Sequence, residues 1–200
     1  MQVLVAGATG KTGVRLIEEL KSRGHSPVAL VRSSSDTSDL PGDVTLRQGD
    51  LTDLQDDVCA GCDVVVFAAG SGGGTGPEMT DKVDRDGAIR LVDMAVKSDV
   101  QRFVMLSTVG ADKPDQNSEL AHYLQAKHDA DEHLKSSGLA YAIVRPVSLT
   151  DDDGSRDVLY GDDVDVKGTA ARGDVAAVLA TAVEDDSWTG KVALMQSASV

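Results

Sequence analysis

Two residue patterns in this chain could do chemistry. The first is Gly7-Ala-Thr-Gly10-Lys-Thr-Gly13, a GxxGxxG loop placed directly after the apolar run 2–6 and before an amphipathic stretch. Glycine at these three positions permits a tight turn, close approach of backbone N–H groups to a pyrophosphate, and close packing of helix on strand. A helix starting there adds the positive end of its dipole. Gly7, Thr9, Gly10, Lys11, Thr12 and Gly13 are therefore the expected contacts for a dinucleotide's phosphates. The second pattern is Tyr123-x-x-x-Lys127. Residues four apart on a helix share a face, where an ammonium stabilises a phenolate and lets the tyrosine donate or accept a proton.

A third position sets cofactor choice. Arg32 ends the second apolar run, 19 positions beyond Gly13, and Ser33 follows it. A carboxylate near that distance holds the ribose 2′-hydroxyl of NAD, whereas a basic residue accommodates a 2′-phosphate. NADP(H) is the expected preference, with NAD(H) admissible through Asp36 as the competing contact. The substring GKT invites comparison with a triphosphate-binding loop. That loop needs a glycine five residues before Gly10, and Val5 stands there instead.

These residues must be held by a scaffold, and its period is legible. Short β-branched runs at 2–6, 28–32, 44–48, 63–68, 102–107 and 140–145 read as strands, with another at 191–196. Helical spacing separates them, in Val14, Ile17 and Leu20, in Ile89, Val92 and Val96, and in Leu120, Leu124 and His128, with a further helix near 174–184. The alternation implies an α/β fold, a doubly wound parallel sheet with helices on both faces. VVVF at 64–67 suits a strand buried on both sides. Stretches 33–43, 70–78 and 151–157 read as loops, the second where doubly wound sheets bind ligands. One domain over 1–200 is expected, with 147–200 forming a small substrate-facing portion.

Composition narrows the function classes. The chain has 200 residues, 41% of them hydrophobic, and net charge −14; 27 of its 33 acids are Asp. Nucleic acid and anionic membranes are poor partners for such a surface. No apolar run approaches the roughly 18–20 residues of a membrane span. The start at QVLVA shows no targeting signal and two cysteines make no disulfide framework, so a reducing cytoplasm is expected. The Asp-rich surface suits molar salt, where screening removes self-repulsion; comparing thermal unfolding in low and molar KCl tests this, equal stability refuting it.

Across nearly its whole length the chain resembles the short-chain dehydrogenase/reductase superfamily, in particular atypical single-domain NAD(P)-binding members related to the NAD-dependent epimerase/dehydratase group. The resemblance is carried by GATGKTG, GDL at 49–51, VVVFAAG at 64–70, RFVMLST at 102–108, HYLQAK at 122–127, SGLAYAIVRP at 137–146 and RGDVAAVL at 172–179. It implies that Asp50 and Leu51 lie beside the adenine, that Ala68, Ala69 and Gly70 line the adenosine and ribose path, and that Pro146 and Val147 touch the nicotinamide. It also implies a catalytic set: Ser107 or its neighbour Thr108 orienting the substrate oxygen, Tyr123 as acid/base, and Lys127 also bonding the nicotinamide ribose.

Other candidates read as structural. Cys59-Ala-Gly-Cys62 reads as the close of a helix before the VVVF strand, where the dipole disfavours a thiolate. The histidines lack the spacing of a helical metal pair, and only His122 is expected near the cleft. Asp151-Asp152-Asp153 lacks the later Glu of a calcium loop, so a solvated acidic turn is the simpler account. No metal is expected, and Trp188 reads as packing. The reading is hydride transfer between NADP(H) and a small carbonyl or alcohol. Its rivals are a non-catalytic NADP(H) sensor and an epimerase or dehydratase that recycles its cofactor. A homodimer pairing helices at 80–97 and 119–136 is allowed.

Overall fold

The computed structural model describes residues 1–72 and 74–198. The chain begins β1 (Gln2–Ala6), α1 (Lys11–Ser22), β2 (Ser26–Val31), β3 (Thr45–Gln48) and β4 (Val64–Phe67). A continuous helical segment follows: α2 (Pro77–Met79), a π-helical stretch Thr80–Gly87, and α3 (Ala88–Lys97). Then come β5 (Arg102–Leu106), α4 (Ala121–Ser136), β6 (Ala140–Pro146), β7 (Ser148–Thr150), β8 (Val158–Tyr160), β9 (Thr169–Ala171), α5 (Arg172–Glu184) and β10 (Lys191–Ser197). The eight-stranded sheet has the order β3-β2-β1-β4-β5-β6-β10-β8; all pairs are parallel except β10 with β8. β7 and β9 form a separate parallel pair.

The doubly wound reading therefore holds, and the strands show why. Val3 and Val5 of β1 enter one apolar cluster, with Leu16, Ile17 and Leu20 of α1 and most of α5. Leu4 and Ala6 enter another, with Leu91 and Val92 of α3 and Leu134 of α4. Successive side chains of a strand point to opposite faces, so an unbroken apolar run is what a sheet covered on both sides requires. The order reverses between β1 and β4, so their carboxyl ends open the crevice where ligands of such sheets bind.

Three helical expectations need correction. α3 turns Ala88, Leu91, Val92 and Ala95 inward, while Val96 is exposed. On α4, Leu120 is exposed just ahead of the helix, and the buried face is Ala126, Lys127, Ala130, Asp131 and Leu134. Cys59 and Cys62 lie in turns, not at a helix end. Both are buried, and burial pushes the Cys59 thiol up to about 12, which suits packing and not redox exchange. The predicted loop at 70–78 is shortened by α2, which starts at Pro77, a residue whose fixed φ suits a first helical turn.

Arg102 ties the two halves together. The residue is 7% exposed, and its guanidinium donates to the carbonyls of Ala182 (3.1 Å), Val183 (3.2 Å) and Asp185 (3.1 Å) at the end of α5, and to Thr189 Oγ1 (2.9 Å). The last carbonyls of a helix have no intrahelical partner, and a cation there also meets the negative end of the dipole.

Candidate functional site

At the crevice, Gly7 adopts φ +81°, and a Cβ there would stand 2.6 Å from the Ala69 backbone. At Gly13 a Cβ would stand 2.0 Å from the Gly7 carbonyl oxygen and 2.8 Å from Ala8 Cα. The loop backbone is thus pressed against both β4's extension and the first turn of α1. Gly10 leads into α1 without any side-chain cap, leaving first-turn N–H groups for an external acceptor. An anion is the complementary occupant.

A cleft of about 790 Å³ extends from this loop. Gly7, Thr9 and Gly10 line it, with Arg32, Asp50 and Leu51, and Ala68, Ala69 and Gly70 form part of its wall. Sequence reasoning missed Ser35, Thr52 and Ser71 in the lining, and Lys82, Asp86 and Arg90 from the helical segment opposite. Ser33 is outside it, and Ser35 Oγ instead accepts from the Arg32 N–H at 3.0 Å. Asp36 is also outside, its carboxylate accepting from the Ser38 N–H at 2.9 Å. Bonds from the Thr52 N–H and hydroxyl hold the Asp50 carboxyl below the usual range, with Arg32 adding to the effect.

Lys11, Thr12 and Gly13 lie beyond the cleft lining. Lys11 pairs with Asp151, whose other oxygen accepts from Arg172 Nε at 2.9 Å. Arg172 also donates to Thr12 Oγ1 at 3.1 Å. Arg15 reaches Asp153 at 3.0 Å and the Asp151 carbonyl at 2.6 Å. The acidic run is exposed, as a solvated turn should be, and its carboxylates pair at the surface with the N-terminal turns of α1 and α5; Lys11 and then Arg172 hold the Asp151 carboxyl low. Gly173 makes the docking close, since a Cβ there would stand 1.9 Å from the Asp153 carbonyl.

The other expected residues form a buried polar cluster. Ser107, 4% exposed, donates its hydroxyl to Asp131 Oδ2 at 2.8 Å. Arg145 donates to the same oxygen from Nε (3.1 Å) and Nη2 (2.8 Å). Burial nevertheless pushes the Asp131 carboxyl up, against Ser107 and Arg145, and its Oδ1 has no hydrogen-bond partner. Lys127 is 3% exposed; its ammonium lies 3.1 Å from Asp84 Oδ1, 3.5 Å from the Leu106 carbonyl, and 5.8 Å from the centre of the Tyr123 ring. Desolvation works against that ammonium, but Tyr123, Asp84 and Asp131 outweigh it and raise its pKa. Tyr123 is half-buried on the same helix.

Pro146 and Val147 are buried, Val147 within the core that includes Val144. His122 is exposed and pairs with Asp81 at 3.0 Å, away from the cleft lining. Asp84, Asp131 and Arg145 were not singled out from sequence. The available signal was Lys127 and Asp131 at i,i+4 among Ala126, Ala130 and Leu134, two charges on the face the helix buries.

Comparison with known proteins adds an independent line. A profile of the family described as NAD(P)H-binding matches residues 7–186. An uncharacterised sugar epimerase, YhfK of Bacillus subtilis, is 34% identical over 193 residues, covering 92% of this chain and 89% of its own. A solved protein of Bacillus halodurans, provisionally described as an NAD-dependent epimerase/dehydratase, superposes with TM-score 0.93 at 37% identity over 100% of this chain and 95% of its own. The oxidoreductase ylbE of Lactococcus lactis gives 0.87 at 28% identity over 100% and 92%.

Proposed function

This chain belongs to the NAD(P)H-binding family, and from that premise we propose that it is an NADP(H)-dependent oxidoreductase acting on a small carbonyl or alcohol. The observation that carries the reading is the glycine-lined cleft at the sheet's switch point, where Gly7 leaves room for backbone but none for a Cβ, with Gly13 equally tight just behind it in the first turn of α1. First-turn N–H groups of α1 and the 7–10 loop would hold a pyrophosphate; Asp50, Leu51 and the 68–70 wall would flank adenosine. Arg32 faces the cleft while Asp36 is tied into its own turn, which favours a 2′-phosphate over a bare ribose hydroxyl. A bound nicotinamide supplies or accepts hydride.

The remaining chemistry falls to the chain's own groups. Tyr123 gives a proton to a carbonyl oxygen on reduction and takes it back on oxidation. Lys127 is buried with its ammonium 5.8 Å from the centre of the Tyr123 ring, a fixed positive charge beside the proton-transferring group. The Ser107 proton is committed to Asp131, so the half-buried Thr108 is the hydroxyl available at the end of β5 to orient a substrate oxygen.

A second reading, an epimerase or dehydratase that regenerates its cofactor in each turnover, is favoured by the descriptions of two relatives. Stopped turnover with a panel of carbonyl substrates decides between them. Tyr123→Phe is expected to lower turnover by about 10²–10⁴-fold while leaving NADPH affinity in place. A variant as active as the wild type would refute the assignment, and product formed without net change in reduced nicotinamide would favour the second reading.

A further inference from the structure

The π-helical stretch carries a buried carboxylate that no catalytic step uses. Asp84 is 0% exposed, and its Oδ2 accepts from the backbone N–H of Ser71 at 3.0 Å. Its Oδ1 lies against the Lys127 ammonium at 3.1 Å. Ser71 is also held by its hydroxyl, 3.3 Å from Thr80 Oγ1 one turn earlier. Gly70 is fitted to the same group, since a Cβ there would come within 3.3 Å of Asp84 Oδ1. Ala69, Gly70 and Ser71 are consecutive residues of the cleft wall, and the glycine-rich loop begins beyond them.

A loop with glycines at 70, 72 and 74 has little conformational preference of its own, so its shape at the cleft depends on specific contacts, within it from Thr75 to the Ser71 and Gly72 carbonyls and from outside it. One carboxylate oxygen on the Ser71 amide is such a contact. A buried carboxylate is costly unless a cation neutralises it, and Lys127 is the cation that faces it. π-Helical turns are rare and concentrate at functional sites; here one faces the cleft wall.

We propose that Asp84 is a positioning residue for the cofactor: neutralised by Lys127, it holds the Ser71 amide and so fixes the 69–71 wall of the cleft. The proposal rests on the reading of that cleft as the nicotinamide-dinucleotide site. On it, the Lys127 ammonium contributes to cofactor binding through Asp84 and not by touching the cofactor.

Two double variants separate the acceptor from the charges, each removing both members of the ion pair so that no lone buried charge is left. Asp84→Asn with Lys127→Met keeps an oxygen acceptor for Ser71; Asp84→Leu with Lys127→Met does not. Calorimetric titration of the first with NADPH should give a Kd within about threefold of wild type, and the second about tenfold weaker or more. Amide hydrogen exchange of the nucleotide-free protein should show the Ser71 N–H protected in wild type and in the first variant, and about tenfold faster in the second. A wild-type Ser71 amide exchanging as fast as a free loop would overturn the anchor without any variant having to fold. An apolar double variant with wild-type NADPH affinity, or an Asn/Met variant that stays folded, keeps Ser71 protected and loses tenfold in affinity, would overturn it too. A protected Ser71 in a folded wild type that binds no nucleotide would overturn the cofactor reading instead.

Discussion

Arg102→Ala is expected to destabilise the protein by about 3–5 kcal/mol, the cost of stripping a shared donor from several backbone carbonyls. The guanidinium is the shared donor for three carbonyls at the end of α5 and for Thr189, which leads into β10. Removing it leaves those carbonyls unpaired in a region water reaches poorly, at about 1–3 kcal/mol each before relaxation. Its contact with Asp186 adds little, because that carboxylate is fully exposed. For a chain of this size the loss corresponds to a fall in Tm of roughly 6–20 °C. Calorimetry of wild type and variant checks it, and a Tm within about 1 °C of wild type would show that the carbonyls find other partners.

The second large effect concerns Gly13. Its Cβ would stand 2.0 Å from the Gly7 carbonyl oxygen and 2.8 Å from Ala8 Cα, both backbone atoms that cannot rotate away. Gly13→Ala therefore forces α1 off β1, and the first-turn N–H groups move with it. Losing two charge-assisted bonds of about 1.5–3 kcal/mol each lowers NADPH affinity by roughly 100-fold or more, with an overpacking cost of about 1–3 kcal/mol in stability. Gly42→Ala is the control: its Cβ would meet nothing within 4 Å, and the residue lies outside the cleft lining. Titration of the two variants side by side should place Gly42→Ala near wild type and Gly13→Ala far below. Equal affinities would mean that the close packing of α1 on the loop does not set phosphate binding.

Much of this architecture is legible in the sequence because burial on both faces imposes a simple pattern. Val3 to Ala6 and Val64 to Phe67 are unbroken apolar runs, and their alternate residues reach opposite cores. The glycine loop is equally plain, because its constraint is local and steric. The helices of the second layer were harder. Leu120, Leu124 and His128 have helical spacing, yet α4 buries Ala126, Ala130 and Leu134 with Lys127 and Asp131 among them. A charge that is neutralised by a partner from another element looks, in sequence, like one that faces water. Asp84 shows this most clearly: its partners Ser71 and Lys127 lie 13 and 43 positions away. The π-helical register that places it has no sequence period to announce it. Likewise, Asp151 and Asp153 are as exposed as a solvated turn requires, but their pairing with Lys11, Arg15 and Arg172 does not show in the sequence because those residues are remote in the chain. The short strands β7, β8 and β9 carry three residues each, too few for alternation to register.

The most direct test of the account is calorimetric titration of the folded wild-type protein with NADPH and with NADH. The account predicts that both bind at one site and that NADPH binds about tenfold more tightly or better, the margin expected where a guanidinium meets a 2′-phosphate. Failure of a folded sample to bind either nucleotide would contradict it, removing the role given to the glycine loop and, with it, those given to Tyr123, Lys127 and Asp84.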